Sequence, residues 1–319
     1  MDTTTLSIII VSWNTSRILQ QCLDSIYEQT KDIDFEVIVV DNASTDNSAE
    51  MIKARFPHVI LIENSNNKGF AAANNRGMAV ARGRYILLLN SDTVILGNAI
   101  VETVSFADIH PNTAVIGCKV LNPDRTDQSS CFMFPSLLNL AVAITGLTAV
   151  FPHSRIFDRE QLTCRNLNNI QDVDVVAGCF MLVRRAAVKQ TGLMDERYFM
   201  YAEETDWCYR FKKRGWKVIF APLGRIIHLS GASTKKIPVQ MWLQLQGSIL
   251  LFFKKHKTKP AYLLACLLVA LLFLTRLPYW SARTIITGNN RKAHAQKAGA
   301  CLKGSLFALL GGQKLCNRT

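Results

Sequence analysis

The sequence predicts an α/β fold in which a mostly parallel sheet is flanked by helices, with a basic, partly apolar helical C-terminal extension. Three observations carry that prediction. Apolar, β-branched runs alternate with helical patterns from Leu6 to Asp92. Polar residues gather where those runs end. The last acidic side chain of the 319 residues is Asp206.

Taken in order, LSIIIVSW (6–13) reads as a strand buried on both faces and SRILQQCLDSIYEQ (16–29) as an amphipathic helix capped by Ser16. FEVIVVD (35–41) is a second strand, and STDNSAEMIKARF (44–56) opens on helix-capping residues. HVILIEN (58–64) is a third strand, GFAAANNRGMAVAR (69–82) a small-residue helix, and RYILLLNSD (84–92) a fourth strand. This βαβαβαβ order implies parallel strands, whose ligands collect outside the carboxyl ends. Asn14, Asp41, Asn42, Asn64 to Lys68, and Asn90 to Asp92 stand at those ends.

Residues 110–175 show no regular pattern. DVDVVAGCFMLVRR (172–185) reads as a further strand in which Gly178 permits close approach, and WKVIFAP (216–222) and GRIIHLSG (224–231) as two short strands. Later comes AYLLACLLVALLFLT (261–275), which carries no charge. Its length is roughly 22 Å as a helix, short of the about 30 Å of a bilayer core, although LPYW (277–280) extends it. Lys254, Lys255, Lys257 and Lys259 precede it, and Arg276, Arg283, Arg291 and Lys292 follow, so the flanks give no inside–outside asymmetry. The pattern favours an in-plane or re-entrant association over a single pass, with a buried core helix as the third reading.

Of the 37 Lys+Arg, 20 follow Asp206, whereas all 24 Asp+Glu lie at or before it. The net +13 is therefore a polarity of the chain, and it asks for an anionic partner. An anionic membrane surface fits, at about 1 kcal/mol per basic residue near the lipid. Nucleic acid does not, because the tail has a long apolar run and no interleaved aromatics. The nine cysteines are scattered without a CxxC pair and read as idle thiols of a reducing compartment. The N-terminus MDTTTLSIIIVSW lacks a basic n-region, so the first domain is expected in the cytoplasm.

Three segments carry candidate chemistry. Asp41 ends a strand, where a carboxylate accepts from the base or ribose of a nucleotide, or simply caps a turn with Asn42. NSNNKGFAAANN (64–75) places Gly69 where a helix begins, with Lys68 beside it. That favours a phosphate, or is an ordinary loop and cap. Asp92 follows a buried strand and suits a divalent cation shared with substrate phosphates, or a helix cap.

Together these segments resemble the family-2 glycosyltransferases of the GT-A (Rossmann-like) fold, in which SIIIVSWN, VVDNASTD, NKGFAAANN and LLLNSD form the nucleotide-sugar site. The resemblance covers about residues 5–234. It implies a glycosyltransferase domain over 1–234, with about 1–110 binding the nucleotide sugar and about 111–234 forming the acceptor side. Residues 235–319 are left as a basic membrane-associating region. Asn14, Asp41, Asn42, Asn67, Lys68, Gly69, Asn74 and Asn90 fall on the donor side of that pattern. NSD occupies the place of the family's Asp-x-Asp motif, but Asn90 replaces its first acid, leaving Asp92 as the charged ligand for Mg²⁺ or Mn²⁺.

The stretch from Asp174 to Val218 resembles the acceptor side of the rhamnosyltransferase-like and galactofuranosyltransferase-like branch, which brings in Gly178 and Asp195. There a Glu-Asp-x-Asp segment supplies the general base from its second acid. By position that acid is Glu204, with Glu203 a competitor because the chain has Glu-Glu. His228 matches a histidine that helps hold the metal. Asp206, on a helix, would turn away toward Arg210, and Trp207 and Trp216 read as core. The resemblance thus implies a metal-dependent inverting transferase that moves a sugar, foremost L-rhamnose from dTDP-L-rhamnose, onto a lipid-linked saccharide at the cytoplasmic face of the plasma membrane. The alternatives are transfer from UDP-galactofuranose or another UDP-hexose, and a non-catalytic membrane-bound saccharide- or nucleotide-sugar-binding protein.

Overall fold

The computed structural model describes residues 4–151, 154, 167–229, 238–286 and 290–312. The chain begins β1 (Leu6–Ser12), α1 (Ser16–Gln29), β2 (Phe35–Asp41), α2 (Ser48–Arg55), β3 (Ile60–Glu63), α3 (Phe70–Val80) and β4 (Tyr85–Asn90). The alternation read from the sequence is the one that forms. Next come β5 (Thr93–Leu96), α4 (Ala99–Ile109), β6 (Thr113–Leu121), the two-residue strands β7 (Asp127–Gln128) and β8 (Cys131–Phe132), α5 (Leu137–Thr145) and α6 (Leu147–Val150). The remainder is β9 (Gln171–Asp172), β10 (Val175–Val176), β11 (Phe180–Arg184), α7 (Arg185–Thr191), α8 (Glu203–Lys213), β12 (Lys217–His228), α9 (Pro238–His256), α10 (Lys259–Ile286) and α11 (Arg291–Leu309).

The main sheet runs β3-β2-β1-β4-β11-β6-β12-β5. Its first four strands are mutually parallel. β11 is antiparallel to both β4 and β6, whereas β12 is parallel to β6 and antiparallel to β5. The sheet is therefore mixed, with a parallel half formed by β3, β2, β1 and β4. Ile8, Ile9 and Ile10 of β1 are all fully buried, as a strand covered on both faces requires, each contributing about 1.5–3 kcal/mol. The small-residue character of α3 has a direct cause. A Cβ on Gly77 would stand 2.5 Å from Ile9 Cγ2, so the helix lies too close to β1 for any side chain there.

Two expectations change. The run 172–185 is not one strand but three pieces, β9, β10 and β11, because it turns between partners: β9 pairs with β12, β10 with β8, and β11 with β4. Conversely, the two short strands read at 216–222 and 224–231 are one strand, β12. Its register shifts between Phe220 and Arg225, where Pro222 lacks the N–H a regular ladder needs; Ser230 and Gly231 lie outside the described residues. Cys22, Cys118, Cys179, Cys208, Cys266 and Cys301 are free and buried. Cys131 departs from the idle-thiol expectation and is disulfide-bonded.

The chain divides into two compact units. One comprises Met1–Met133, Thr163–Glu196 and Glu203–Lys235; the other comprises Phe134–Leu162, Arg197–Ala202 and Lys236–Thr319. The second unit thus takes in two earlier segments besides the basic tail. It is helical, with a core of Leu140, Leu250, Phe253, Val269, Phe273 and Cys301 among others. At 28 residues α10 exceeds the apolar run that marks it in the sequence. It is long and apolar enough to cross a membrane, so shortness does not argue against a span. One face of it, including Ala265, Val269, Ala270 and Phe273, is buried, while Leu263, Leu264, Leu267, Leu271 and Leu274 are exposed.

Candidate functional site

Parallel pairing brings the polar strand ends together. Ser12 at the end of β1 is level with Asp41 of β2, and Val11 with Asn90 of β4, so Asp41 and Asn90 flank the same strand terminus. Asp41 is 4% exposed. Its Oδ2 accepts from the backbone N–H of Ser44 at 2.9 Å, while its buried Oδ1 has no partner. An unpaired buried acceptor costs about 1–3 kcal/mol. A ligand donor reaching Oδ1 would remove that penalty, which fits a nucleotide's base or ribose.

The neighbouring asparagines form the scaffold. Asn42 Nδ2 donates to Asn67 Oδ1 at 2.8 Å, and its Oδ1 accepts from Asn64 Nδ2 at 2.8 Å and from the backbone N–H of Lys68 at 3.0 Å. Asn67 Oδ1 also accepts from Gly69 N–H at 2.9 Å. This knot fixes the loop that enters α3, where Gly69 has φ 81°, a conformation other residues adopt only with strain. Asn14, itself at φ 56°, accepts from Thr45 N–H at 2.7 Å and so ties the β1 end to the loop after Asp41. Asn74 donates within its helix to Phe70 O. Lys68 stands half-buried at the mouth of α3.

The antiparallel pairing of β12 with β5 sets His228 opposite Thr93, and Leu229 N–H donates to Asp92 O at 2.9 Å. His228 Nε2 thereby comes 3.2 Å from Asp92 Oδ1 and 3.3 Å from Asn90 Nδ2. Its other nitrogen, Nδ1, lies 2.7 Å from Gln128 Oε1. A carboxamide oxygen only accepts, so Nδ1 carries a proton and Nε2 is the atom turned toward Asp92. Burial disfavours charge on His228, yet hydrogen bonds to Asp92 and Cys179 outweigh it and push its pKa up to about 10. Sequence reasoning missed Gln128, which sits on the two-residue strand β7 in the stretch without a pattern.

Glu204 of α8 lies near Gly178. A Cβ placed on Gly178 would be 3.9 Å from Glu204 Cδ and 3.9 Å from Phe70 Cε1, the first residue of α3. The next residue, Cys179, accepts through its carbonyl from Asn90 N–H at 3.1 Å, and Asn90 in turn stands beside His228. Gly178 and Cys179 are thus consecutive residues, the first next to Glu204 and the second bonded to Asn90. Burial pushes the Glu204 pKa up to about 7. Glu203 is 3% exposed with an unpartnered Oε2, and burial followed by the charge of Glu204 holds its pKa well above the carboxylate range. Of the two, Glu204 is the half-buried one, able to ionise near neutrality and to meet a substrate.

The rest of α8 is structural. Asp206 is fully buried and accepts from Arg210 Nε at 2.7 Å, the pairing its i,i+4 spacing predicts. Trp207 is core, donating from Nε1 to Gly192 O at 2.9 Å, whereas Trp216, beyond the helix, departs from the core reading: it is half-buried and its Nε1 donates to Gln190 Oε1. Asp195 is half-buried in the loop after α7. That loop is pinned by Asn75, which exchanges hydrogen bonds with the backbone of Met194 and donates to Glu196 Oε1 at 3.0 Å.

A divalent cation fits this donor set in a limited way. Asp92 offers a carboxylate oxygen, and His228, oriented by Gln128, offers its Nε2 once an arriving cation displaces the proton shared with Asp92. Among the described residues no group of three or more His, Cys, Asp or Glu could hold an ion. Two protein ligands suit Mg²⁺ or Mn²⁺ whose other positions are filled by water and substrate phosphates.

The profile of the family described as Glycosyl transferase family 2 matches residues 7–192. An N-acetylglucosaminyl-diphospho-decaprenol L-rhamnosyltransferase from Mycobacterium tuberculosis is 28% identical over 254 residues, which is 74% of this chain and 80% of the relative. Among solved structures, the fold resembles the mannosyltransferase PcManGT from Pyrobaculum calidifontis in complex with GDP-Man and Mn²⁺. That match has a TM-score of 0.58 and 15% identity, and it covers 98% of this chain and 86% of the other. It also resembles GalNAc-T7 with UDP, GalNAc and Mn²⁺, with a TM-score of 0.57 and 14% identity over 97% of this chain and 56% of the other.

Proposed function

The chain belongs to glycosyl transferase family 2, and we propose that it is an inverting enzyme moving L-rhamnose from dTDP-L-rhamnose onto a lipid-linked saccharide in cell-surface polysaccharide assembly. The donor and acceptor classes are supported by the rhamnosyltransferase relative, which acts on a diphospho-decaprenol-linked sugar according to its name. The observation that supports the catalytic reading is that Gly178, beside Glu204, precedes Cys179, whose carbonyl accepts from the N–H of Asn90, the neighbour of His228 and Asp92. It supports assigning the candidate base and the candidate cation ligands to one site.

In this reading the Glu204 carboxylate takes the proton of the acceptor hydroxyl. The acceptor oxygen bonds to the anomeric carbon while that carbon's bond to the nucleoside diphosphate breaks on the opposite face, which inverts the centre. A placed base of this kind contributes about 10²–10⁴-fold. Asp41 Oδ1 receives a donor from the nucleotide, and Lys68 with the start of α3 faces the phosphates. Asp92 and His228 would hold Mg²⁺ or Mn²⁺, which when bound offsets the negative charge of the leaving diphosphate.

The lipid-linked acceptor places the work at the cytoplasmic membrane face in this proposal. The exposed leucine stripe of α10 and the acid-free, basic segment after Asp206 support peripheral attachment. One face of α10 packs inside its own unit and the other carries the exposed leucines, which supports an in-plane association. A thermal-shift panel of nucleotide sugars with Mg²⁺ or Mn²⁺ tests the donor, since ligand binding raises apparent stability by mass action. The largest rise is expected with dTDP-L-rhamnose; a larger rise with a UDP-hexose would replace the donor, and no rise with any nucleotide sugar would remove the enzymatic reading.

A further inference from the structure

The carbonyls from Thr191 to Met194 each accept from a side chain of a helix. Arg210 Nη1 donates to Thr191 O at 3.1 Å and Nη2 to Leu193 O at 2.8 Å, while Trp207 Nε1 donates to Gly192 O at 2.9 Å. Asn75 Nδ2 donates to Met194 O at 2.9 Å, and Asn75 Oδ1 accepts from Met194 N–H at 3.1 Å. Backbone groups withdrawn from water need such partners. Here they come from α8 on one side and α3 on the other, all within the unit that contains the sheet.

Both ends of this strap are firmly held. α3 is pressed onto β1 at Gly77, and Asn75 is 6% exposed. Asn75 Nδ2 also donates to Glu196 Oε1 at 3.0 Å, and a carboxylate that only accepts fixes which edge of the amide faces it. On the other side Trp207 is fully buried, and fully buried Asp206 accepts from Arg210 Nε at 2.7 Å. The first turn of α3 is the end assigned to the donor phosphates, and the first turn of α8 carries Glu204. The strap ties these two helices together.

We infer that Asn75 is a positioning residue for the transfer step: by gripping both backbone groups of Met194 it sets, through the 191–194 strap and the Trp207 and Arg210 side chains, where Glu204 stands relative to the donor at the start of α3. The inference rests on the proposed role of Glu204 as base. Asn75 touches none of the reacting atoms; it acts through the strap.

The test uses the full chain with Asn75→Leu, which keeps the size and removes donor and acceptor, and Arg210→Lys, which keeps the charge beside Asp206 and gives up the forked pair on the strap. Hydrogen exchange over 191–196 reads the strap without reference to activity. Turnover with the nucleotide sugar that gives the largest thermal shift reads its consequence. Asn75→Leu should exchange faster over that segment and lose about tenfold or more in kcat, as a small displacement of a catalytic group does, with its donor-induced thermal shift unchanged. Arg210→Lys should move both readouts the same way. The double variant should stay within a few-fold of Asn75→Leu, because a strap released at one end has little left to lose at the other. Unchanged exchange in Asn75→Leu overturns the strap, faster exchange with unchanged kcat overturns its positioning role, and losses that multiply in the double variant overturn the shared route. If Asn75→Leu does not fold, Asn75→Asp is read in its place, with Glu196→Gln added to relieve the facing carboxylates and recover part of kcat. A Glu204→Gln chain with wild-type turnover would remove the base, whereas loss of turnover there with none in Asn75→Leu would keep the base and discard the positioning.

Discussion

Glu204 rests against Gly178, whose added Cβ would stand 3.9 Å from the carboxyl carbon. That spacing is an ordinary contact, so Gly178→Ala should retain activity within a few-fold. A longer side chain would extend from between Glu204 and Phe70, both 3.9 Å from that Cβ. Gly178→Leu should displace the carboxylate and cut kcat by about 10²-fold, as misplacement of a catalytic group by an ångström does. Steady-state kinetics of the two variants checks the contrast.

The pH profile follows from the same carboxyl. Glu204 must be ionised to accept a proton, so activity should fall tenfold per unit as pH drops below about 7. Its raised pKa also has a stability consequence, and the sign is opposite to that of a salt-bridged acid. The folded state prefers the protonated form, so its contribution is full below the ordinary carboxylate range and lost as pH rises through about 7. Glu204→Gln should therefore be more stable than wild type above neutrality, by about 1–3 kcal/mol, and equal to it in mild acid. Thermal melts on either side of neutrality read the difference.

Gln128 orients His228 by accepting from Nδ1 at 2.7 Å. Loss of such a partner costs about 10–100-fold in metal affinity. Gln128→Ala should raise the Mn²⁺ concentration needed for half-maximal donor-induced thermal shift by that factor, while the melting temperature without ligand stays near wild type. An unchanged Mn²⁺ requirement would detach Gln128 from the cation site.

Attachment through the α10 stripe makes Leu267 and Leu271 exposed contacts with lipid. Leu267→Glu/Leu271→Glu should leave the fold intact, since both side chains face outward, and should abolish co-sedimentation with anionic vesicles. Raised salt should weaken the wild-type association as basic residues are screened. Retention of the double variant on vesicles would point to a different membrane contact.

The half of the candidate site built on regular elements was legible in the sequence. β1, β2 and β4 are unbroken apolar runs, so their ends, and with them Asp41, Asn90 and Asp92, could be read directly. Asp206 was separable from the other acids because an i,i+4 partner, Arg210, lies on the same helix. Gln128 left no signal, because a two-residue strand has no period and a single glutamine in a loop-rich stretch announces nothing. The join between Phe220 and Arg225 was hidden for a related reason: Pro222 reads as a break, and only the pairing of β12 with β6 and β5 on both sides of it shows one strand.

Side-by-side kinetics of Glu204→Gln and Glu203→Gln, with donor binding measured on each, decide whether one carboxylate drives the transfer. Glu204→Gln should lose about 10²–10⁴-fold in kcat with its donor-induced thermal shift intact, and Glu203→Gln should keep most of its turnover. A Glu204→Gln enzyme that turns over within a few-fold of wild type would contradict the assignment of the base and, with it, the mechanism built on this site.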